Sequence, residues 1–357
     1  MQFRFFIIIS LILALAFPSC NKGEWKPGRP LAKENIRVGV VHMTNPFSES
    51  SGYAYAHQMG IEKMQRNLAL KDGQVLYKTH VDDSNPLYAE SAIRELIAQG
   101  ANIIVATSWG YMDSCEKLAA EFPSVVFAHA AGYKYNDRNF TNYFGRVYQA
   151  RYLSGLIAGA QTRSGKIGYV AAWGTENSEV TGGINAFAMG VEKVNPQASI
   201  YVRVTHSWFD PMGEAAAARA LIGEGCDVIA QHCDTANPQT EAERAGVWGI
   251  GYNTNMIADA PSSTLTSVLW NWDAYYTMLV QSVINGTFIT APWFGSLKDG
   301  IVGISPLNET INWDAQTLRV LEEEQRRLES GDFDVFSLTD DEIRNGIDWY
   351  YHTVIEL

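Results

Sequence analysis

Five short segments, four of them carrying Trp or Tyr near their start, together mix flat aromatic rings with hydroxyls, amides and carboxylates, and each follows a predicted strand. Thr44, Asn45, Ser48, Glu49, Ser51, Tyr53 and Tyr55 follow residues 36–41, and Thr107, Ser108, Trp109, Gly110 and Tyr111 follow residues 101–106. Trp173, Gly174 and Glu176 follow residues 166–172. Gln231, His232, Asp234 and Asn237 follow residues 226–230, and Tyr252, Asn253 and Asn255 follow residues 247–251. Rings that stack, beside groups that donate and accept hydrogen bonds, suit capture of an aromatic heterocycle. Catalytic patterns are weaker. The sequence holds no G-x-S-x-G, no H-E-x-x-H and no G-x-G-x-x-G after its first strand. His232-Cys233-Asp234 sets a thiol beside a base, but neighbours on an extended segment point apart, so Cys233 reads as packing and His232 and Asp234 as binding groups. His206, His232 and Cys233 match no standard metal spacing. No cofactor or metal is expected.

The elements that must position these loops alternate between strand and helix. Strands are predicted at 36–41, 78–82, 101–106 and 125–128, with helices at 52–70, 86–99 and 113–121 between them. The same grammar returns as strands at 166–172, 200–205, 226–230 and 247–251, with helices at 182–194, 212–223 and 238–245. Two stretches nearly repeat each other: AQGANIIVATS (98–108) and GEGCDVIAQHC (223–233) are each a glycine stop, a buried strand and a polar loop. The alternation predicts two similar α/β lobes with parallel sheets, whose ligands bind outside the carboxyl ends of the strands.

Composition narrows the function further. The chain has 357 residues, 46% of them apolar and 18% charged, which excludes a disordered polymer and suits two lobes. Its formal charge of −12 argues against a nucleic-acid partner. Arg4 precedes a 13-residue uncharged apolar run, 5–17, too short to span a bilayer, which needs about 20 residues. Residues 1–19 therefore read as a signal peptide. The following Phe17-Pro18-Ser19-Cys20 is similar to a bacterial lipobox, with Phe17 and Pro18 in place of the usual residues, and designates Cys20 for lipidation. Residues 20–35, with two Pro and two Gly, form a flexible tether. The expected location is the cell membrane, lipid-anchored and facing the periplasm or the exterior. Cys115, Cys226 and Cys233 give no disulfide framework and read as small buried residues.

Several stretches together resemble the basic membrane protein (BMP) family of substrate-binding lipoproteins of ABC transporters, the group that includes purine-nucleoside receptors. They are GYAYAHQMG (52–60), ATSWGYMD (106–113), YQARYLSGLIAG (148–159), KIGYVAAW (166–173), GGINAFAMG (182–190), VIAQHCD (228–234), GIGYNTNM (249–256), TSVLWNWDAYY (266–276) and LTDDEIRNGIDWYYHTVI (338–355). The resemblance implies a type I periplasmic-binding-protein fold: two Rossmann-like lobes joined by a three-crossing hinge, with crossings near Phe144, Ser263 and Thr290. One lobe would be 36–144 plus 264–290, the other 145–263 plus 291–330. It also implies a purine or purine nucleoside held in the interlobe cleft and delivered to an ABC permease. Carried over to this sequence, Tyr53, Trp109 and Trp173 stand at aromatic positions, Asp234 at the acidic contact, and Asn253 and Trp270 on cleft-facing motifs. The first loop, SESSGYAYAH, departs from nucleoside-binding members, as do Asn253 and Asn255, which leaves base and nucleoside both open. Another flat heterocycle such as riboflavin, or a surface signalling or adhesin role on the same fold, are the alternatives. Residues 331–357 are acidic yet carry Trp349, Tyr350 and Tyr351, and are expected to dock on a lobe.

Overall fold

The computed structural model describes residues 25–357, so the predicted signal peptide and Cys20 lie outside the described residues. Strands β1 (Val38–Val41), β2 (Val75–Lys78), β3 (Ile103–Ala106), β4 (Val126–Ala130) and β5 (Phe140–Gly145) alternate with helices α1 (Tyr53–Asn67), α2 (Pro86–Ala98) and α3 (Met112–Glu121). The chain continues through α4 (Val147–Gln161), β6 (Lys166–Ala171), α5 (Ser178–Val194), β7 (Ser199–Val204), α6 (Pro211–Gly223), β8 (Val228–His232), α7 (Asn237–Ala245), β9 (Trp248–Asn253) and β10 (Thr264–Trp270). It ends with α8 (Asp273–Asn285), β11 (Trp293–Gly295), β12 (Val302–Ile304), α9 (Ala315–Ser330), α10 (Asp340–Asn345) and β13 (Val354–Glu356).

Two sheets result. The first runs β11-β5-β4-β3-β1-β2 and is parallel throughout. The second runs β12-β10-β9-β8-β6-β7-β13 and is parallel except where β12 meets β10. Central strands β1, β3, β4 and β8 are buried along their whole length, which is why they read as mostly apolar runs, broken only by His129, Gln231 and His232, rather than alternating ones. The fold is the periplasmic-binding-protein type, with each sheet the heart of one lobe. Cys115, Cys226 and Cys233 are free and buried, as their spacing implied.

Strand pairing corrects two of the three expected crossings. The first falls between β5 and α4, beside Phe144 as expected. The second was expected near Ser263, but β10 pairs with β9 (Leu269 against Asn253) and with β12 (Val268 against Ile304), so residues 264–270 belong to the second lobe. The chain crosses only at Asn271–Trp272, after which α8 packs on α1. The third was expected near Thr290, but β11 pairs with β5, so the return follows Gly295. The pairing partners of β10 and β11 are remote in sequence, which hides their lobe membership from any local reading. One strand also moves: β2 ends at Lys78 instead of occupying 78–82, because His80 takes a positive φ of 56° that ends extended pairing.

The C-terminal segment docks on the second lobe. β13 extends the sheet beside β7, Asn185 Nδ2 donates to the Trp349 carbonyl at 2.7 Å, and Tyr351 N–H donates to Asn185 Oδ1 at 2.8 Å. It also reaches across the hinge. Arg344 Nη2 donates to the Gly132 carbonyl of the first lobe at 2.5 Å, and its guanidinium lies 5.5 Å from the Phe294 ring on β11. Arg146, at the first crossing, stacks over the other side of this corner at 4.7 Å from Phe294 and pairs with Asp340 at 2.6 Å. Loss of a hydrogen bond from a charged donor costs about 1.5–3 kcal/mol, so Arg344→Ala should lower the melting temperature by a few degrees. It should also enlarge the radius of gyration of the ligand-free protein in small-angle scattering; an unchanged radius would show that the strap does not restrain the lobes.

Candidate ligand cleft

On the first lobe the cleft wall begins at Gly52, the residue that caps α1. Its φ of 93° and ψ of −179° lie in a region almost reserved for glycine. The conformation lets the loop approach the second lobe closely: a Cβ here would stand 2.7 Å from the Asp234 carbonyl oxygen. The two lobes therefore meet at Gly52 and Asp234, and the first turn of α1 delivers Tyr53 and His57 to the seam.

Tyr53 stands edge-on to His57 at 4.4 Å and to Trp272 at 6.1 Å. His57 stacks on Trp272 at 4.1 Å, and Trp272 stacks on Trp270 at 4.5 Å with an interplanar angle of 8°. Three flat rings thus form one pile across the second crossing. His57 Nδ1 hydrogen-bonds the Tyr276 hydroxyl, which meets the Tyr143 hydroxyl at 2.9 Å. Burial drives the His57 pKa well down, so the ring is neutral, with Nδ1 engaged by the Tyr276 hydroxyl and Nε2 left without a protein partner among the described residues.

The second lobe supplies the ionisable groups. Asn253 holds a φ of 67°, tolerable for an asparagine, and its Nδ2 donates to Asp234 Oδ1 at 2.9 Å. Burial pushes the Asp234 carboxyl up to about 8, against the opposing pull of the Asn253 amide. Glu179, in the first turn of α5, is pushed by burial up to about 7, with Arg151 and a hydrogen bond from Tyr252 opposing. The Tyr252 hydroxyl also accepts from Trp270 Nε1 at 3.0 Å, so a relay runs from Trp270 through Tyr252 to Glu179. Arg151 is fully buried, its guanidinium 4.1 Å from the Tyr252 ring, with Nη1 donating to the Gln231 carbonyl at 2.6 Å. Trp208 lies 5.9 Å from His232, and its carbonyl accepts the Asp234 N–H at 2.9 Å.

Five of these side chains keep buried polar atoms without a protein partner among the described residues: His57 Nε2, Trp272 Nε1, Asn253 Oδ1, His232 Nε2, and Nε and Nη2 of Arg151. His232 Nε2 stands 3.5 Å from Glu179 Oε1 without forming a hydrogen bond. Unpartnered buried polar atoms are uncommon, which makes these five side chains the candidates for contact with a bound molecule. No group of three or more metal-ligating side chains occurs among the described residues.

Four of the six residues singled out from sequence gather here: Tyr53, Asp234, Asn253 and Trp270. Trp270 is 4% exposed and supports the pile from behind. Two stand apart. Trp109 is 57% exposed at the tip of the loop after β3, and Trp173 packs against His206 at 6.2 Å. Each begins a loop at the carboxyl end of a strand, but neither shares an aromatic contact with the pile. Sequence reading missed Trp272, Glu179, Arg151 and Trp208. Asn177, a capping residue two places before Glu179, signals where α5 starts; a lone arginine in the otherwise apolar α4 signals a buried cation.

The strand orders and the contact between the lobes define a two-lobed binding-protein fold. Residues 36–330 match the Bmp family, described as ABC transporter substrate-binding protein, PnrA-like, and the chain belongs to that family. A purine-binding protein of Brucella abortus is 33% identical over 310 residues, covering 87% of this chain and 85% of its own. A Haloferax volcanii protein, named provisionally as an ABC transporter glucose-binding protein, is 33% identical and covers 84% and 74%. Among solved structures, an ABC transporter solute-binding protein from Conexibacter woesei superimposes with a TM-score of 0.70 at 20% identity, covering 84% of this chain and 98% of that one. That likeness supports the fold alone.

Proposed function

We propose that this protein captures a purine nucleobase or nucleoside in the interlobe cleft, hands it to an ABC permease and releases it unchanged. The observation that carries the reading is the Trp270–Trp272–His57 pile, on which Trp272 Nε1 and His57 Nε2 have no protein partner among the described residues. Rings of this size favour a flat partner, each aromatic neighbour contributing about 1.5–3 kcal/mol by burial. Asp234, Glu179 and Asn253 offer carboxyl and amide groups from one lobe, and Trp272 Nε1–H and the His57 ring nitrogen come from the other, which suits a heterocycle whose edges both donate and accept. The purine-binding relative supports the same class. Calorimetry with adenine, guanosine, riboflavin and glucose, alongside mass spectrometry of ligand released on denaturation, tests it. Micromolar or tighter binding of a purine is the expected result; binding of glucose or riboflavin with none of either purine would overturn it.

We also propose that the protein works outside the cytoplasm, anchored by lipid on Cys20. Among the described residues no helix is long and apolar enough to cross a membrane. Labelled palmitate should enter the wild-type chain, and Cys20→Ala should abolish the label and move the protein from the membrane to the soluble fraction. Label retained in that variant would refute the anchor.

A further inference from the structure

We infer that Glu214 is a positioning residue of the cleft, a buried carboxylate that fixes from behind the two loops presenting Asp234 and Trp208. The inference rests on Asp234 being a ligand contact. Glu214 lies in the first turn of α6 and is fully buried, with no Lys, Arg or His within ion-pair distance among the described residues. A buried carboxylate without a cation is costly unless its oxygens are well supplied with donors. Here they are: Oε2 accepts the Thr235 N–H at 3.1 Å and the Thr235 hydroxyl at 2.6 Å, and Oε1 accepts the Asp210 N–H at 3.1 Å.

These donors belong to two separate segments. Thr235 immediately follows Asp234 after β8, and Asp210 lies two residues beyond Trp208 after β7. One carboxylate thus joins both loops, and the Asp234 N–H bonded to the Trp208 carbonyl at 2.9 Å closes the join. The other side of the same turn is held by Gln231, whose Nε2 donates to the carbonyls of Cys233 at 3.0 Å and Thr235 at 2.7 Å. Gln231 is held in turn by Gln239 Nε2, which donates to its Oε1 at 2.9 Å. Asp234 therefore sits at the centre of a short segment clamped on both flanks. Its side chain is the part left free to face the seam, with Oδ1 taken by Asn253 and no protein donor to Oδ2 among the described residues.

Glutamine is close to isosteric with glutamate, but replaces one acceptor oxygen by an NH2 group that would face either the Thr235 or the Asp210 donors. Glu214→Gln therefore removes the clamp with little change of volume. With adenine and guanosine as probes on the full chain, Glu214→Gln should weaken purine binding by about tenfold or more, the worth of one lost charged hydrogen bond. A double-mutant cycle with Asp234→Ala separates positioning from general damage: the cost of Asp234→Ala should shrink to less than half its wild-type fold-change when Glu214 is already Gln. Backbone amides of 233–235 should exchange faster, while those of β6 stay as they were. Thr235→Val, which removes one donor and keeps the fold's shape, should give the same pattern at smaller size if Glu214→Gln does not fold. Full additivity in the cycle, or unchanged exchange at 233–235, would overturn the inference. If neither purine binds the parent chain, the ligand reading fails, and the exchange at 233–235 alone decides the clamp.

Discussion

Gly52→Ala should leave the lobes folded and disable their closure. The residue holds φ 93° and ψ −179°, and an added Cβ would come within 2.7 Å of the Asp234 carbonyl oxygen, a backbone atom that cannot swing aside. Two effects separate. Backbone strain, about 1–3 kcal/mol for a residue in this region, burdens the open and closed forms alike and lowers the melting temperature. The collision with Asp234 burdens the closed form alone and lowers affinity. We expect purine affinity to fall by about a hundredfold, equivalent to about 3 kcal/mol, with the far-ultraviolet circular dichroism spectrum unchanged. Calorimetry on the alanine variant checks it; near wild-type affinity would mean that the lobes need not meet at this point when ligand is bound.

Asp234→Ala is the second large effect. Removing the carboxylate leaves a donor of the ligand unpaired in a desolvated cleft, and binding should weaken by at least about tenfold. The same residue predicts how the ligand-free protein responds to pH. In the folded molecule burial raises Asp234 to about 8 and Glu179 to about 7, from ordinary values of 3.8 and 4.5. The compact form thus retains protons that an opened or unfolded chain gives up. Their contribution is fully favourable below the ordinary carboxylate range and is lost as pH climbs through the raised values, the two neighbouring groups titrating as a pair. Carboxyls shifted the other way, such as Asp227 held down by donors from Thr162, Arg163 and Ser164 despite its burial, act only at more acid pH. The buried neutral histidines His42, His57, His129 and His232, all held below their ordinary value by burial, give the opposite slope below about pH 7, so the melting temperature of ligand-free protein should fall only between about pH 7 and about pH 8.5, and Asp234→Asn should flatten that slope. A melting temperature that rises over this interval would show both carboxyls to be open to water.

The fold was readable where burial is symmetrical. β1, β3 and β8 are covered on both faces, so their apolar runs stand out, and the glycines that end α2 and α6 mark the turns before them. What escaped was positional. Gly182 and Gly183 look like a helix boundary, yet α5 begins four residues earlier, and Gly183 is small because a Cβ there would stand 3.0 Å from the His232 ring. Misplacing that start hid Glu179. Trp270 ends β10 and Trp272 caps α8, and only the turn of chain at Asn271 reveals that the second ring joins His57 while the first lies behind. Trp109 and Trp173 head loops at the proper end of their strands, but proximity to that rim does not decide which way a ring turns. Asp234 and Asn253 were legible because motif and strand end coincide, and Tyr53 because its motif opens a helix.

The last of the described strands has a bearing on biogenesis. β13 lines up beside β7, with Ile200 N–H donating to the Thr353 carbonyl at 3.0 Å and Leu357 N–H to the Val202 carbonyl at 2.9 Å. β7 is synthesised some 150 residues earlier, so its outer flank stays unpaired through the remainder of translation. An uncovered flank of this kind invites pairing with foreign chains. Prematurely terminated copies would thus be prone to aggregate, even though every residue of the cleft is already in place.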